Sequence, residues 1–390
     1  MDEEMKSIEK NNTWELVKLP KGQKSIGVKW VYKTKLNKDG SIDKYKARLV
    51  VKGYKQEFGV DYKEVFAPVV RMDTIRLLIS MAAQKSWSIY QLDMKLAFLH
   101  GELQEEVYVD QPPGYVKTGS ERKVYKLTKA LYGLKQAPRA WYSRIDAYFT
   151  KAGFLKCPYE YTLFIKLGDN GSITVVCLYV DDLIYTGNDS TMFDAFKKSM
   201  MTEFDMRDLG LMHYFLGIEV MQSPAGIFLS QKKYVLEILD RFNMKKCNSV
   251  STPTEFGLKL MKDEGRKKIN ATLYKQTVGS LMYLTSTRPD IMYGVSLISR
   301  YMESPTENHL HAAKRIFRYL KGTVDFGIFY AAKANGNLIG FSDSDFAGDL
   351  NDRKSTSGFV FFMGSSVVSW SSKNQRNNRL LFCPLRKQSL

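Results

Sequence analysis

Cysteine is scarce in this sequence. Four cysteines occur among 390 residues, at positions 157, 177, 247 and 383, and no two of them form a Cys-x-x-Cys pair. Such spacing indicates neither a zinc site nor a disulfide framework. Together with an N-terminus that lacks a signal-peptide pattern, it predicts a reducing intracellular location, cytoplasmic or nuclear, rather than a secreted protein.

Long apolar runs are also missing, and acidic residues are outnumbered. No run of eighteen apolar residues occurs, so no transmembrane helix is predicted. Asp and Glu number 41 against 58 Lys and Arg, a formal net charge of +17. This excess favours a polyanionic partner such as nucleic acid over the competing explanation, an anionic membrane surface, so no membrane partner is expected. The length fits two or three globular domains, and the polar, Lys-rich stretch 245–268 is the best linker candidate.

Local patterns predict further elements. Gly and Pro in 130–142 predict a loop that enters a helix beginning near Ala137. A strand is expected over 213–220, and a helical region over 271–321 with breaks at Pro289 and Pro305.

The stretch from Val175 to Tyr185 places two adjacent acids, Asp181 and Asp182, between two apolar segments. Apolar runs rich in Val and Ile predict buried strands. Because Asp is depleted from strand interiors, the pair is expected at the tight bend of a hairpin. Neighbouring carboxylates repel each other, and a divalent cation is the usual means of keeping both ionised.

A third acid, Asp93, lies between apolar residues in the same way. An isolated Asp-Asp pair in a turn is most often only solvated. Three carboxylates on two adjacent strands, however, could hold two metal ions roughly 4 Å apart, as in polymerases and nucleases. The three acids therefore predict a metal-dependent active site.

Seven motifs occur in order along the chain. They are KARLVVKGYKQ (46–56), VFAPVVR (65–71), QLDMKLAFLHGEL (91–103), ALYGLKQAPRAWY (130–142), LYVDDLI (178–184), YFLGIEV (214–220) and RKSTSGFVF (353–361). This set and its order are specific for one family: from about residue 12 to about residue 375, the sequence resembles the reverse transcriptase region of plant-like copia-type LTR retrotransposon Pol polyproteins.

The resemblance implies an α+β fold, a polymerase right hand followed by a truncated ribonuclease H-like α/β segment. Fingers and a palm with an antiparallel sheet would occupy residues 12–230, and thumb and connection helices residues 231–334. A partial ribonuclease H-like domain would occupy 335–375. Residues 376–390 depart from the family pattern.

The resemblance also implies an activity and its catalytic residues. The chain would add deoxynucleotides to a primer 3′-hydroxyl, with deoxynucleoside triphosphates, an RNA template, a DNA primer and the RNA–DNA hybrid as partners. Asp93 and Asp181 would hold two Mg²⁺ ions, with Mn²⁺ as a possible substitute, and Asp182 would support them. One departure lies close to this site, because Leu96 stands where the family has Thr.

Other residues would bind the substrates, although each also has an ordinary structural explanation. The hairpin predicted over 26–36 and 42–51 is either a solvated basic edge or a flap over the triphosphate, and Phe98 is either core or a gate that selects deoxyribose. By resemblance, nucleotide-binding residues are Lys46, Arg48, Phe98 and Gln136, and primer-grip residues are Leu216 and Gly217. A helix over 309–321 carries Lys314, Arg318 and Lys321 on one face, which is either solvated or follows a phosphate backbone.

Residues 337–346 predict a strand that ends in acids, and by resemblance Asp343 and Asp345 are ribonuclease H remnants. No Asp or Glu occurs from residue 353 to residue 390, so ribonuclease H cleavage is expected to be absent. Two alternatives to an active polymerase remain: a catalytically silent nucleic-acid-binding relic, and a nuclease centred on Asp343. Primer extension separates the three.

Overall fold

The computed structural model describes residues 1–36, 41–262, 265–375 and 388–389. Within them the chain forms helices α1 (Asp2–Lys10), α2 (Met72–Gln84), α3 (Ala137–Lys151), α4 (Ser190–Glu203), α5 (Lys232–Arg241), α6 (Ala271–Leu284), α7 (Met292–Ser299) and α8 (Glu307–Gly322). None of these helices is long and apolar enough to span a membrane.

Two compact units are formed from discontinuous segments. Unit 1 comprises residues 1–70 and 90–210, and unit 2 comprises residues 71–89 and 211–390. Helix α2 therefore belongs to unit 2, although residues of unit 1 flank it on both sides in the sequence. The domain boundaries expected from the sequence stay a prediction.

Unit 1 contains a six-stranded, a three-stranded and a two-stranded sheet, with strand orders β11-β4-β10-β9-β8-β7, β1-β6-β5 and β2-β3. Their bounds are β1 (Trp14–Lys18), β2 (Val28–Leu36), β3 (Ile42–Val51), β4 (Tyr90–Met94), β5 (Glu102–Val109), β6 (Lys123–Lys129), β7 (Leu155–Lys156), β8 (Leu163–Leu167), β9 (Ile173–Tyr179), β10 (Asp182–Gly187) and β11 (Met206–Leu211).

The six-stranded sheet of unit 1 packs against α3 and α4. Helix α3 begins at Ala137, as the sequence predicts, and places Trp141, Ile145 and Phe149 four residues apart on one buried stripe. They form a core with Phe196 of α4 and with apolar residues of the central strands. Because the apolar runs of β9 and β10 are held by this core, the two acids between them are fixed at the end of the hairpin.

Unit 2 contains two four-stranded sheets, with orders β12-β13-β14-β15 and β18-β17-β16-β19. The strands are β12 (Tyr214–Phe215), β13 (Ile218–Ser223), β14 (Gly226–Ser230), β15 (Gly327–Ala331), β16 (Leu338–Ser344), β17 (Thr356–Met363), β18 (Ser366–Asn374) and β19 (Gln388–Ser389). The fold is thus mixed α and β, with several antiparallel sheets.

Helices α5 to α8 share one apolar core in unit 2. The expected helical region with breaks at Pro289 and Pro305 is confirmed, because α6, α7 and α8 lie between those prolines and on either side of them. Two expectations are corrected. The Lys-rich stretch 245–268 is not a free linker, since Leu260 is only 5% exposed within this core. The strand expected over 213–220 is a tight hairpin, formed by β12 and β13.

Two predicted segments lie wholly or partly outside the described residues. The turn at 37–40 is one, although both strands that flank it, β2 and β3, are present in antiparallel register. Most of the out-of-pattern tail, residues 376–387 and residue 390, is the other.

Candidate active site

Asp181 and Asp182 lie at the bend of the β9–β10 hairpin, as predicted. Tyr179 pairs with Asp182, so Val180 and Asp181 form a two-residue turn. Val180 has φ +54°, a left-handed conformation that is costly for a β-branched residue. The Trp141 indole N–H donates to the Val180 carbonyl at 2.6 Å, and the Met94 amide donates to the Asp181 carbonyl at 2.9 Å. These contacts hold the strained turn.

Strand β4 brings the third acid to this turn. It pairs with β10 in a register that sets Asp93 directly opposite Asp182. Directly opposed residues of an antiparallel pair point to the same face of the sheet. The Gln91 amide donates to Asp182 Oδ1 at 3.2 Å. The three acids predicted from the sequence therefore meet on adjacent strands.

Burial and neighbouring charges raise the pKa values of Asp181 and Asp182. Burial raises the pKa of Asp182 to about 6, with further upward contributions from Asp181 and Asp93 against the hydrogen bond from Gln91. Burial likewise raises the pKa of Asp181, while the positive charges of Lys46 and Arg48 lower it. The site thus concentrates negative charge that its own cations offset only in part.

This donor set fits a divalent cation of the magnesium type. Carboxylate oxygens are the ligands that Mg²⁺ prefers, and Mg²⁺ is commonly held by one or two carboxylates with water and substrate phosphates completing the shell. Among the described residues, no group of three or more His, Cys, Asp or Glu side chains is arranged to hold a metal ion by itself.

Arg48 and Phe98 are joined by a residue that the sequence reasoning missed. The Arg48 guanidinium lies 5.1 Å from the centre of the Tyr132 ring, and the ring centres of Tyr132 and Phe98 are 4.9 Å apart. Burial raises the pKa of Tyr132 to about 12, against the lowering effect of Arg48. Tyr132 lies in the quoted motif 130–142, but no feature of its type or spacing pointed to this contact.

The Gln136 side chain is buried and hydrogen-bonded within the protein, so it is not open to a ligand in this structure. It is only 2% exposed. Its Oε1 accepts from the Gln56 amide at 3.0 Å, and its Nε2 donates to the Asp61 carbonyl at 2.8 Å. In this structure Gln136 anchors the loop at 56–61, and nucleotide binding by Gln136 stays a prediction.

The sequence is similar to those of known proteins over most of its length. Residues 11–256 match the family model for reverse transcriptase (RNA-dependent DNA polymerase). This chain belongs to the reverse transcriptase family. It is 45% identical over 367 residues to the retrovirus-related Pol polyprotein from transposon RE1 of Arabidopsis thaliana, a match that covers 94% of the chain and 25% of that protein.

A second relative comes from another plant. The Pol polyprotein from transposon TNT 1-94 of Nicotiana tabacum is 41% identical over 385 residues, covering 96% of the chain and 29% of that protein. The chain thus spans about a quarter of the length of these curated relatives. The copia-type resemblance is confirmed by both matches. Reverse transcriptases generally use divalent metal ions and bind nucleic acid templates, primers and nucleotides.

In unit 2 of this reverse transcriptase-family chain, Leu216 and Gly217 form the turn between β12 and β13. Both have positive φ, +49° and +78°. The Tyr283 hydroxyl of α6 donates to the Leu216 carbonyl, and a Cβ added at Gly217 would lie 1.8 Å from that hydroxyl. The positive φ and the close approach of this hydroxyl both favour glycine at position 217. Leu216 and Gly217 therefore lie at a hairpin tip that is held by a helix, and their role as a primer grip stays a prediction.

The predicted basic face of α8 is present, and one of its three cationic side chains, Arg318, is hydrogen-bonded to another part of the chain. Lys314 and Lys321 are exposed, whereas the Arg318 Nε donates to the Asn248 carbonyl at 2.9 Å. The opposite face, with Ala313, Ile316 and Phe317, is buried as the spacing predicts.

The acids at the end of β16 are exposed and accept hydrogen bonds from backbone amides of β16, β17 and the loop between them. Asp343 Oδ1 accepts from the Ser344 amide at 2.8 Å. Asp345 Oδ1 accepts from the amides of Thr356, at 2.9 Å, and Gly348, at 3.3 Å. Nearby Asp349 is paired with Arg300 at 3.0 Å. Their role as ribonuclease H remnants stays a prediction.

Proposed function

We propose that this chain is an RNA-directed DNA polymerase unit of a copia-type Pol polyprotein, which adds deoxynucleotides to a primer 3′-hydroxyl. The observation that carries the proposal is the carboxylate centre, in which Asp93 and Asp182 are opposed in register beside Asp181. In the right-hand description, β2–β3 would be fingers, the six-stranded sheet would be palm, and α5 to α8 would be thumb and connection.

The residues of the chain would act by positioning and charge. Asp93 and Asp181 would hold two Mg²⁺ ions, and Asp182 would support them. When bound, such ions lower the pKa of a hydroxyl nucleophile and neutralise charge on the triphosphate and the departing pyrophosphate. Lys46 and Arg48 would place positive charge beside the triphosphate. Since proximity and electrostatic stabilisation account for most of the acceleration in such sites, no covalent intermediate with the protein is required.

The substrate-selecting contacts are proposed on the same basis. Phe98 is half-buried and would crowd a ribose 2′-hydroxyl, so that deoxynucleotides are preferred. Leu216 and Gly217 would grip the primer terminus. Lys314, Lys321 and, to a lesser extent, Arg318 would follow the phosphate backbone of the RNA–DNA hybrid, where each neutralised phosphate adds to the salt dependence of binding.

The test is primer extension by the purified chain on poly(rA) with an oligo(dT) primer. Extension is expected with Mg²⁺ or Mn²⁺, and none with EDTA or without the template. A chain that binds primer–template tightly but never extends it, with either metal, would contradict the proposal and support the alternative of a silent nucleic-acid-binding relic. RNA cleavage that depends on Asp343 would instead support a nuclease.

A further inference from the structure

Helix α1 buries a carboxylate. Its sequence, DEEMKSIEK, turns Met5 and Ile8 into the core of unit 1. Glu4 is adjacent to this apolar stripe and is only 4% exposed. Glutamate is almost never fully buried unless it is paired, because an unpaired charge loses its hydration. The position of Glu4 therefore requires a specific partner.

That partner is Arg48, a residue of the proposed nucleotide site. Arg48 Nη1 lies 2.6 Å from Glu4 Oε2, and the amide of the next residue, Leu49, approaches Glu4 Oε1 at 3.4 Å. The two carboxylate oxygens thus contact both the side chain of Arg48 and the backbone that carries it. The Arg48 side chain is 22% exposed, whereas that of Glu4 is only 3% exposed, so Arg48 is the member of the pair that is in part open to solvent.

The contacts continue from Arg48 to the proposed sugar gate. Its guanidinium lies over the Tyr132 ring at 5.1 Å, and that ring packs on Phe98 at 4.9 Å. Arg48 also shares one face of β3 with Lys46, two residues away. Glu4, Arg48, Tyr132 and Phe98 therefore form an unbroken row of contacts, which we call the Glu4 row.

We propose that Glu4 is a positioning residue for nucleotide selection: it fixes the Arg48 guanidinium for the incoming triphosphate and, through Tyr132, sets the position of Phe98. This inference rests on the proposed polymerase function. Glu4 lies outside residues 11–256, which match the family model. An arginine has many rotamers, and holding it in its binding conformation before the ligand arrives reduces the entropy lost on binding.

The measurement is equilibrium binding of dTTP and of UTP to a complex that cannot react. Poly(rA) carries an oligo(dT) primer ended by a dideoxynucleotide, and the full chain is used with Mg²⁺. Glu4→Ala is expected to raise the Kd of dTTP about tenfold, as for loss of a hydrogen bond to a charged group, and to lower the preference for dTTP over UTP. Glu4→Gln, which keeps one acceptor oxygen, is expected to raise it about threefold.

Two matched controls separate positioning from general damage. Glu3→Gln changes an exposed acid on the same helix. Glu203→Ala removes the partner of Arg144, another Arg–Glu pair of unit 1. Neither is expected to change the Kd or the dTTP/UTP ratio. If Glu4→Ala unfolds, as a thermal melt would show, Glu4→Gln carries the test.

The possible outcomes separate the inference about Glu4 from the proposed polymerase function. A folded Glu4→Ala or Glu4→Gln variant with an unchanged Kd and dTTP/UTP ratio would show that Glu4 is a structural anchor only. A lower Kd for dTTP would show that Glu4 competes with the nucleotide for Arg48.

The wild-type chain tests the proposed function itself. Template-dependent dTTP binding without extension by the wild-type chain would refute polymerase activity alone, whereas absence of any dTTP binding would refute both proposals.

Discussion

Each of the two units has a pair of aspartates close to the end of a strand, but the surroundings of the carboxylates differ between the units. In unit 1, Asp181 and Asp182 are half-buried, and the β4–β10 register adds Asp93 opposite Asp182. In unit 2, Asp343 and Asp345 are exposed, and each accepts a hydrogen bond from a backbone amide of β16 or β17. The same residue type in a similar strand-end context thus gives a charged centre in one unit and a turn in the other.

The difference shows what makes a candidate metal site. Burial and a further acid on the paired strand matter more than the spacing of the acids along the sequence. Burial and mutual repulsion raise the pKa of Asp182 to about 6, so a bound cation would relieve an existing electrostatic cost. Asp345 already has two amide donors. A carboxylate satisfied by backbone amides has less to gain from a metal ion.

The largest expected effect tests the comparison directly. Asp181→Asn should lower the rate of primer extension by about 10³-fold, since loss of a metal ligand removes several kcal/mol of stabilisation in the transition state. Asp343→Asn, the matched change in unit 2, should leave extension unchanged. The measurement is single-nucleotide extension with Mg²⁺, and primer–template binding serves as a folding control. Equal extension by both variants would break the comparison.

A second test asks whether Phe98, in the same unit as the three acids, discriminates deoxyribonucleotides from ribonucleotides. Phe98→Val should lower the preference for deoxynucleotides over ribonucleotides by about 10- to 100-fold, because a smaller side chain leaves room for the 2′-hydroxyl. The ratio of kcat/KM for dTTP and UTP measures it. Phe98→Tyr, which keeps the ring, is the control. An unchanged ratio in Phe98→Val would assign Phe98 to the core alone.

The basic residues of α8 in unit 2 should affect the binding of nucleic acid but not the rate of nucleotide addition, the opposite of what is expected for the acids of unit 1. Replacing Lys314, Arg318 and Lys321 together by Gln should flatten the log–log salt dependence of hybrid binding by up to about 2–3 units. Binding is measured between 50 and 200 mM salt at saturating nucleotide, and the extension rate of bound complexes should persist. The charge-matched control replaces three other exposed lysines, Lys117, Lys151 and Lys198. An equal loss of slope in both variants would remove the special role of α8.

The smallest expected effect concerns stability and pH. The pKa of Asp182 is raised from 3.8 to about 6, so between these values the folded chain retains a proton that the unfolded chain releases. Stability from this group is therefore present at pH 4 and is lost as the pH rises through 6. Asp182→Asn should add about 1–2 kcal/mol at pH 7.5 without metal, after allowance for solvent access, and almost nothing at pH 4.

Denaturant unfolding at the two pH values measures this change. Asp345→Ala is the comparison in unit 2, and it should destabilise the chain by about 1 kcal/mol because it removes an acceptor for two amides. A destabilising Asp182→Asn at pH 7.5 would show that burial does not dominate the ionisation of Asp182.

Local elements and their order were predictable wherever the pattern was strong. The hairpin with Asp181 and Asp182 at its bend, the helix from Ala137 and the apolar stripe of α8 are all present. The single strand expected over 213–220 was wrong, because a hydrophobic run does not reveal that Leu216 and Gly217 adopt positive φ under the Tyr283 hydroxyl. The contact comes from a helix more than sixty residues later.

The sequence by itself determined the family, the three acids and the alternation of strands and helices, because these depend on residue type and on spacing along the chain. Only the tertiary structure decided the pairing of Asp93 with Asp182, the burial of Gln136 and the Glu4 row. Each of these joins residues that are distant in sequence, and neither periodicity nor composition carries information about which distant side chains meet. Burial and electrostatic coupling arise from those meetings, so the chemistry of the site is set where the chain segments pack together.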